Sequence, residues 1–401
     1  MKNDKVIIIG GGMAGLSLAL FLNKAGIQSA VYEAYPGFKN AGVAFTIAPN
    51  GMNVLNELSI TEEIIKGGNV VSAFEFKNGE GRHIARMRTG PVEKYGQPSV
   101  LLSRFVLYDL LYKKAIEQGI EVYYGKKLTA INEGINNVSA YFEDGSLADG
   151  SILIGADGIN SATRRLIFPD APKPVYVGFY GTGGLVNVTD IPDSDKICRG
   201  DLTLVYGKNG FFGYGFNKQD ELLWWSSLEV PESEVKSFIA NTTDEQIRNK
   251  LLNLFNTYSY PVPQLISKTG KFAQTISYEV ETLQSWHKGR VLLIGDAGHA
   301  ISTTSGQGAS MAFEDAMCLA KLLRDNAITN YEQVFSLFEN ERKPRLAKFK
   351  ELAKRGNSDK KVTGKVGLFI REKMMRFFIG LFGEKGLQWQ YSYKIDWKGK
   401  A

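Results

Sequence analysis

The chain has 401 residues, of which 44% are hydrophobic and 22% charged. This composition is ordinary for a globular protein, and the length is sufficient for two domains. The two cysteines, Cys198 and Cys318, lie far apart and show neither a disulfide framework nor metal-ligand spacing, so we expect no metal site and a cytoplasmic protein. Residues 357–401 hold ten Lys/Arg and four Asp/Glu and thus account for the whole net charge of +6, and the neutral remainder excludes nucleic-acid binding.

The N-terminal stretch predicts a strand, a glycine-rich turn, a helix and a second strand. The β-branched run Val6–Ile9 leads into the sequence GGGMAG at 10–15, and the next strand, 29–32, ends at Glu33. Glu33 lies 18 residues after the third glycine of the G-x-G-x-x-G pattern, where an acid binds a ribose hydroxyl. This combination predicts a dinucleotide-binding unit rather than a plain βαβ unit with a glycine-rich turn.

A helix over 104–118 follows, with Ser103 as its expected N-cap. Arg104 stands at the start of this helix, where a cation opposes the helix dipole. That position favours a phosphate or carboxylate partner for Arg104 over a plain surface role.

A further buried strand, 152–154, ends in an acid and glycines. Asp157 follows this strand, and Ser161 and Arg164 lie three residues apart on the next helical turn. The same arrangement of strand, acid and turn returns later in the chain.

Residues 175–280 alternate aromatic residues with glycines, which predicts an antiparallel sheet with a helix near 232–255. Because alternate residues of a strand share a face, we expect about half of the aromatic side chains to line a substrate cavity and the others to pack in a core. The candidates for the cavity are Tyr206, Phe211, Phe212, Tyr214, Phe216, Trp224 and Trp225.

Residues 292–315 predict a buried strand, a carboxylate at Asp296, a turn containing Gly306 and Gly308, and a helix from Ala309. Glycines let a ligand approach the backbone, and the open N–H groups of a helix start attract negative charge. This stretch therefore suits a ligand with hydroxyl groups and partial negative charge. The three histidines, His83, His287 and His299, have no ligand spacing, and we expect His299 to be structural, or a hydrogen-bonding residue of this loop, rather than a catalytic base.

The C-terminal part predicts a long helix from Tyr331 to about Arg355 and an apolar stretch, 366–382, that includes Arg371, Lys373 and Arg376. We expect the apolar residues of this stretch to pack on the two domains while its charges are solvated. The alternative is that the stretch lies on a membrane surface.

Three elements in this order resemble the single-component FAD-dependent aromatic hydroxylases, the flavoprotein monooxygenases that include p-hydroxybenzoate, salicylate and urate hydroxylases. They are 10–15 with Glu33, the sequence GADGINSATR at 155–164, and the sequence GDAGH at 295–299 with Gly306–Gly308. The resemblance covers roughly residues 1–350. Tetracycline-inactivating monooxygenases are more distant relatives.

The resemblance implies an α/β fold with three parts. The first is a Rossmann-like, glutathione-reductase-type FAD-binding domain built from 1–72, 98–172 and 285–345. The second is an inserted antiparallel-sheet substrate domain, 73–97 and 173–284, and the third is a C-terminal helical segment, 346–401.

The resemblance also implies roles for individual residues toward FAD. The glycine turn with Glu33 would hold the pyrophosphate and adenosine ribose, Arg104 the pyrophosphate or flavin side chain, and Asp296 the ribityl hydroxyls. Asp157, Ser161 and Arg164 would support FAD and NAD(P)H. The implied cofactor-binding residues are Gly10, Gly12, Met13, Ala14, Gly15, Glu33, Ala34, Gly42, Val43, Arg104, Asp157, Arg164, Asp296, Gly306, Gly308 and Ala309.

The implied reaction uses NAD(P)H to reduce FAD, and a flavin C4a-hydroperoxide then hydroxylates or epoxidises an aromatic or polycyclic small molecule. No catalytic side chain is assigned. Because no base for a phenol is visible, the sequence favours a neutral, apolar substrate over a carboxylated one. The alternatives are an oxidase or reductase of the same fold without oxygen insertion and a nucleotide-binding scaffold without catalysis.

Two positions depart from the family pattern. Ala34 stands where the family often has Arg after the ribose acid, and Thr303 stands where it usually has Pro. Thr303 is therefore a candidate for the substrate cavity as well as for an altered flavin loop.

Overall fold

The computed structural model describes residues 5–37, 44–218, 220–326, 328–360 and 364–400, and its architecture is mixed α/β. Within these residues the strands are β1 (Val6–Ile9), β2 (Ser29–Tyr32), β3 (Ala44–Ile47), β4 (Asn69–Val71), β5 (Ala73–Asn78), β6 (His83–Arg88), β7 (Ser99–Ser103), β8 (Glu121–Tyr123), β9 (Leu128–Glu133), β10 (Val138–Phe142), β11 (Leu147–Gly150), β12 (Ile152–Gly155), β13 (Val175–Asn187), β14 (Asp201–Tyr206), β15 (Phe211–Lys218), β16 (Glu221–Glu229), β17 (Ala273–Glu279), β18 (His287–Lys288) and β19 (Val291–Leu293).

The α-helices of the same residues are α1 (Met13–Lys24), α2 (Pro49–Asn56), α3 (Thr61–Gly67), α4 (Val92–Tyr95), α5 (Arg104–Glu117), α6 (Ala162–Ile167), α7 (Glu232–Asn241), α8 (Asp244–Phe255), α9 (Val262–Lys268), α10 (Asp296–His299), α11 (Gly308–Asn326), α12 (Tyr331–Lys360) and α13 (Lys365–Tyr391). A short 3-10 helix, Thr303–Ser305, lies between α10 and α11.

The first of the two main sheets has six strands in the order β18-β19-β12-β1-β2-β8, which come from both early and late parts of the chain. Its central strand β1 pairs in parallel with both β12 and β2, and β19 pairs in parallel with β12. The β-branched residues of β1 are fully buried, since one core cluster joins this sheet to α1, α5, α11 and α12. The carboxyl ends of β1, β12 and β19 therefore meet at one edge of the sheet.

The second main sheet has seven strands in the order β17-β13-β16-β15-β14-β5-β6. Its strands pair antiparallel except β5 and β14, which are parallel. The prediction of an antiparallel sheet is wrong for that one pair. Its physical reason is that β5 and β6 come from an earlier part of the chain and join as a separate hairpin.

The two faces of the seven-stranded sheet have different partners. One face packs on α7, α8 and α9 in a second core cluster. The other face packs on a small sheet of order β3-β7-β4, through a cluster that includes Leu101 and Leu223. The face of a strand on which a side chain lies thus decides whether it is buried against the helices or lies toward the small three-stranded sheet.

The predicted helix near 232–255 is two helices, α7 and α8. Thr243 separates them because its hydroxyl accepts a hydrogen bond from the Gln246 N–H while the Gln246 side chain accepts one from the Thr243 N–H. This capping box starts a new helix at Asp244.

The last helix, α13, packs along β6 with one face only. Met375 and Ile379 join a cluster with Phe76 and Ile84, whereas Phe377 on the opposite side is 58% exposed. The prediction that the apolar residues of 366–382 pack on the domains is therefore wrong for the outward face. Among the described helices, none is long and apolar enough to cross a membrane.

Candidate functional site

The glycine turn after β1 is shaped by two close backbone approaches. Gly10 has φ +106°, and a Cβ there would lie 2.5 Å from the carbonyl oxygen of Ala156. A Cβ on Gly15 would lie 2.0 Å from the carbonyl oxygen of Gly10. Both positions therefore require glycine: a side chain at Gly10 would collide with the backbone after β12, and one at Gly15 would push α1 away from the end of β1.

Glu33 lies beside this turn at the end of β2. Its Oε2 accepts a hydrogen bond of 2.7 Å from the Gly11 N–H, and its Oε1 accepts one of 2.9 Å from the Tyr35 N–H. Each carboxylate oxygen retains further acceptor capacity, so Glu33 can still bind hydroxyl groups of a ligand. Ala34 follows it as an exposed residue.

Asp157 follows β12 at the same edge of the sheet, and its oxygens are used within its own loop. Oδ1 accepts a 2.5 Å hydrogen bond from the Ser161 hydroxyl, and Oδ2 accepts hydrogen bonds from the Thr163 N–H and hydroxyl. Ser161 also caps α6 by accepting from the Arg164 N–H. Asp157 and Ser161 thus shape this loop.

Arg164 connects that loop to the turn after β19. It is buried, and it donates hydrogen bonds of 2.7 Å to the carbonyl of Ala297 and 2.6 Å to the carbonyl of Ile159. Burial lowers the pKa of Arg164. Its guanidinium is therefore a link between two loops of the site.

Asp296 begins α10, separated from β19 by two residues, and it is exposed at the edge of the six-stranded sheet that also carries Glu33 and Asp157; we call this edge the cleft. Desolvation of the Asp296 carboxyl by the surrounding protein raises its pKa, and the charges of His299 and Arg104 oppose that rise. Arg104, the first residue of α5, is exposed, so both groups are accessible to a ligand. The Ser103 hydroxyl caps α5 as predicted by accepting from the Phe105 N–H.

His299 has a buried partner that the sequence did not indicate. Its Nε2 lies 2.5 Å from Oδ2 of Asp315, and the same oxygen accepts a 2.9 Å hydrogen bond from the Gly295 N–H. Burial would raise the pKa of Asp315, but the charges of His299 and Arg342 lower it to about 2. Asp315 thereby holds the turn that presents Asp296.

Asp315 belongs to a larger buried charge network between α11 and α12. Arg342 donates from Nε to Oδ1 of Asp315 at 2.8 Å, and its Nη2 lies 2.7 Å from Oε2 of Glu314. Arg345 pairs with both oxygens of Glu314, and Asn50 donates to Oε1 of the same carboxylate. The network fixes α11 and α12 together behind the cleft. In the sequence, the only signal of this network was the pair of acids, Glu314 and Asp315, within the apolar stripe of α11.

The loop before α11 is open at the predicted glycines. A Cβ on Gly306 or Gly308 would meet no heavy atom within 4 Å, while Gln307 between them is buried and accepts a hydrogen bond from Asn50. Ala309 lies in the first turn of α11, half-buried. The backbone at this helix start is therefore accessible from the cleft.

The aromatic candidates divide between the two faces of the seven-stranded sheet. Four of them are buried in the cluster against α8 and α9, where Phe212 stacks on Trp224 at 5.0 Å. The pleat of β15 and β16 directs these four side chains to the helices, on the side of the sheet away from the loop before α11. The prediction of a substrate cavity is wrong for Phe212, Phe216 and Trp224, which pack in the core, whereas Tyr214 lines a small cavity on the helix side together with Cys198 and Tyr260.

The other three aromatic candidates lie on the opposite face. The ring of Phe211 lies 5.1 Å from that of Tyr206 and 6.2 Å from that of Trp225. The Nζ of Lys360, the last residue of α12, lies 4.5 Å from the centroid of Phe211. We call the group formed by Tyr206, Phe211, Trp225, Lys360 and Thr304 the aromatic junction.

Within the aromatic junction, Lys360 connects the aromatic rings to the loop before α11. Its Nζ donates a 3.0 Å hydrogen bond to the Thr304 hydroxyl, and burial lowers the pKa of Lys360 to about 8. Thr303 beside it is exposed, at the position where the family usually has Pro. Nothing in the sequence marked Lys360, because it is one of many lysines near the C-terminus.

The geometry fits a dinucleotide with a polyol segment. A Cβ on Gly12 would meet no heavy atom within 4 Å, and α1 begins there without a side-chain cap. Open N–H groups at this helix start suit a pyrophosphate, and Asp296 suits hydroxyl groups. Gly42 and Val43 lie outside the described residues. Within the described part of the chain, no group of three or more His, Cys, Asp or Glu could hold a metal ion.

Comparison with known proteins gives consistent results. The family described as FAD binding domain matches residues 3–352. The chain is 26% identical over 361 residues to 6-hydroxynicotinate 3-monooxygenase of Pseudomonas fluorescens, which covers 88% of this chain and 91% of that protein. It is 29% identical over 326 residues to 3-amino-4-hydroxybenzoate 2-monooxygenase PtmB3 of Streptomyces platensis, covering 80% of each chain.

The fold is also similar to that of a solved structure. Klebsiella pneumoniae HpxO complexed with FAD and uric acid has a TM-score of 0.83 and 24% sequence identity, and the match covers 96% of each chain. At this identity the likeness establishes the fold.

Proposed function

The chain belongs to the FAD binding domain family, and from that premise we propose that its substrate is an aromatic or heteroaromatic ring with an ionisable hydroxyl group. The protein is an FAD-dependent monooxygenase that uses NAD(P)H and O₂ to hydroxylate an aromatic or heterocyclic compound. The observation that supports this substrate class is the Lys360 ammonium group at the aromatic junction.

The residues at the strand ends would hold FAD in this proposal. Gly12 and the start of α1 would receive the pyrophosphate, Glu33 the adenosine ribose, and Asp296 the ribityl chain. The start of α11 would face the pyrimidine edge of the flavin. When bound, FAD supplies the redox chemistry, which takes reducing equivalents from NAD(P)H and activates O₂ for transfer of one oxygen atom.

We infer that Lys360 acts on the substrate rather than on FAD. Its Nζ donates to Thr304 in the loop before α11, beside which the flavin would lie, and it lies over Phe211, beside which the substrate would bind. A cation in this position favours the ionised form of a ring hydroxyl, which makes the ring more electron-rich toward oxygen transfer. The three aromatic side chains of the junction would pack against the faces and edges of the ring.

This proposal replaces the expectation of a neutral substrate, which depended on the lack of a visible base for a phenol. Both relatives named above carry names of rings with a hydroxyl group, which agrees with the proposal.

The experiment compares hydroxylated rings with their methyl ethers, which cannot ionise, in NAD(P)H consumption and labelled-O₂ incorporation. Lys360→Met should lower kcat/KM for the hydroxylated ring about 10- to 100-fold, since a hydrogen bond to a charged group contributes roughly 1.5–3 kcal/mol. Lys360→Arg should retain part of the activity because the charge remains.

The control is Lys354→Met, an exposed lysine on the same helix, which should leave kcat/KM unchanged. Because burial lowers the pKa of Lys360 to about 8, kcat/KM of the wild type should fall as the pH rises through about 8, and this fall should be missing in Lys360→Met. Equal turnover of ethers and hydroxylated rings, or equal effects of the two methionine variants, would contradict the proposal.

We also propose three finer features of the fold. The βαβ unit of β1, α1 and β2 is Rossmann-like and of the glutathione-reductase type, as its parallel pairing and glycine turn suggest. The FAD-binding domain comprises 1–72, 98–172 and 285–345, the substrate domain 73–97 and 173–284, and the C-terminal helices 346–401. The protein works in the cytoplasm, where NAD(P)H is present.

A further inference from the structure

Helix α13 has apolar residues on two opposite faces. Its inner face packs on the protein, where Met375 and Ile379 contact the cluster of Phe76 and Ile84, and a Cβ on Gly383 would lie 2.9 Å from Sδ of Met87. Its outer face carries residues at steps of three and four, which places them in one line. We call this line the outer stripe; it consists of Val366, Ile370, Met374, Phe377, Phe378 and Leu381.

The outer stripe is a contiguous exposed patch. Its side chains are 51–74% exposed, and Phe369 and Phe382 beside it are exposed as well. These eight residues are more than a third of the twenty-one large hydrophobic side chains that are exposed in the described part of the chain. Single exposed apolar residues need no explanation, but a clustered patch of this kind marks an interaction surface.

The charges around the outer stripe are positive. Lys373, Arg376 and Lys385 are exposed on the same helix, and Nζ of Lys373 lies 5.4 Å from the ring of Phe369. The acids of α13 have partners on the body of the protein: Glu384 accepts from Arg88, and Glu372 accepts from Asn78. Helix α13 holds five Lys/Arg and two Glu, so the border of the stripe carries a net positive charge.

The positive charge around the outer stripe distinguishes between the partners that could cover it. A second copy of the chain would bring the same basic groups against each other, and like charges at an interface cost affinity. An anionic lipid surface offers both an apolar layer for the stripe and negative charge for its border. From Val366 to Leu381 the stripe is about 22 Å long, which suits a helix lying in the plane of a membrane.

We propose that the outer stripe of α13 binds the surface of membranes that contain anionic lipids. The apolar side chains enter the boundary between head groups and acyl chains, and Lys373 and Arg376 contact the lipid phosphates. The binding is peripheral, and it depends on neither the identity of the substrate nor turnover.

The test is co-sedimentation of the full-length, FAD-loaded protein with vesicles of phosphatidylcholine, with and without phosphatidylglycerol. The wild type should bind the mixed vesicles, and the triple variant Phe377→Ser, Phe378→Ser, Leu381→Ser should bind at least about tenfold more weakly. Lys373→Gln with Arg376→Gln should weaken binding to the mixed vesicles about 25-fold, at about fivefold per charge.

The matched control is Ile135→Ser, which removes an apolar side chain that is 92% exposed but lies far from α13 in the chain. It should bind vesicles like the wild type, and all variants should retain the FAD absorbance of a folded protein. The proposal is overturned if the wild type does not sediment with mixed vesicles, or if the triple variant binds equally well. It is also overturned if light scattering shows a dimer that the triple variant converts to a monomer, because the stripe would then be an interface between copies.

Discussion

The buried charge network behind the cleft predicts a large stability loss when its central arginine is replaced. Arg342 is completely buried, as are its partners Glu314 and Asp315. Arg342→Met keeps most of the side-chain volume but leaves two buried carboxylates with one cation fewer. Removing one partner of a buried ion pair costs about 3–5 kcal/mol, because the remaining charge stays buried without compensation.

Two contacts limit the loss to the lower end of that range. Glu314 retains Arg345, and Asp315 retains His299. We therefore expect a loss of about 3 kcal/mol in the free energy of unfolding. With an unfolding entropy of about 2.1 cal/mol/K per residue, a chain of 401 residues that unfolds as one unit should lose about 4 °C in Tm.

The assay is thermal unfolding of the FAD-loaded protein, followed by circular dichroism and by flavin fluorescence. Arg355→Met is the matched control, since Arg355 lies on the same helix but is exposed and pairs with Glu351 one turn away. Such surface pairs contribute about 0.3–0.5 kcal/mol, so its Tm should change by less than about 1 °C. Arg342→Lys should be intermediate, because an ammonium group cannot bridge two carboxylates as a guanidinium does.

Equal Tm values for Arg342→Met and Arg355→Met would refute the reasoning. The reasoning would also be refuted if Arg342→Met had a lower Tm but bound FAD as tightly as the wild type. Because Asp315 holds both Arg342 and the Gly295 N–H, disturbing the network should also disturb the turn that carries Asp296.

Two further predictions concern the glycine turn and the acid range. Gly10→Ala should abolish FAD binding in the purified protein, because its Cβ would lie 2.5 Å from the Ala156 carbonyl oxygen; Gly26→Ala, also at positive φ but with no atom within 4 Å, should cost only about 1 kcal/mol and keep the flavin. Burial would raise the pKa of Glu339, but donors such as His287 and Lys343 lower it from 4.5 to about 2. The contribution of the Glu339 carboxylate to stability is therefore present above pH 4.5 and is lost as the pH falls toward 2. The free energy of unfolding of Glu339→Gln, measured in urea, should lack that part of the pH dependence. Parallel plots of unfolding free energy against pH for the wild type and Glu339→Gln would contradict this prediction.

The dinucleotide unit could be predicted from the sequence because its signals are local. Strand, glycine turn and helix follow one another within residues 6–24, and each depends on neighbours in the chain. Glu33 could be placed for the same reason, since its distance from the turn is set by the length of α1 and β2.

The aromatic candidates show where local pattern is insufficient. Alternation along β15 indicates that Phe211 and Phe212 lie on opposite faces, but it cannot tell which of the two faces meets the helices. That choice depends on α8 and α9, which follow some 30 residues later and cover the Phe212 side.

The charge network and Lys360 were beyond sequence reasoning for a different reason. Asp315 and His299 are 16 residues apart, Asp315 and Arg342 are 27 apart, and Lys360 and Thr304 are 56 apart. These contacts form only when α11, α12 and the loop between β19 and α11 pack together. The acids within the apolar stripe of α11 could have indicated a buried partner, but not which cation supplies it.

The most direct test of the account is the fate of labelled O₂ during turnover of the FAD-loaded protein with NAD(P)H and an aromatic compound that carries a ring hydroxyl. The account predicts one labelled oxygen atom in each molecule of product, formed together with the oxidation of one NAD(P)H. Consumption of the aromatic compound with no label in the product would contradict it and would indicate an oxidase or reductase instead.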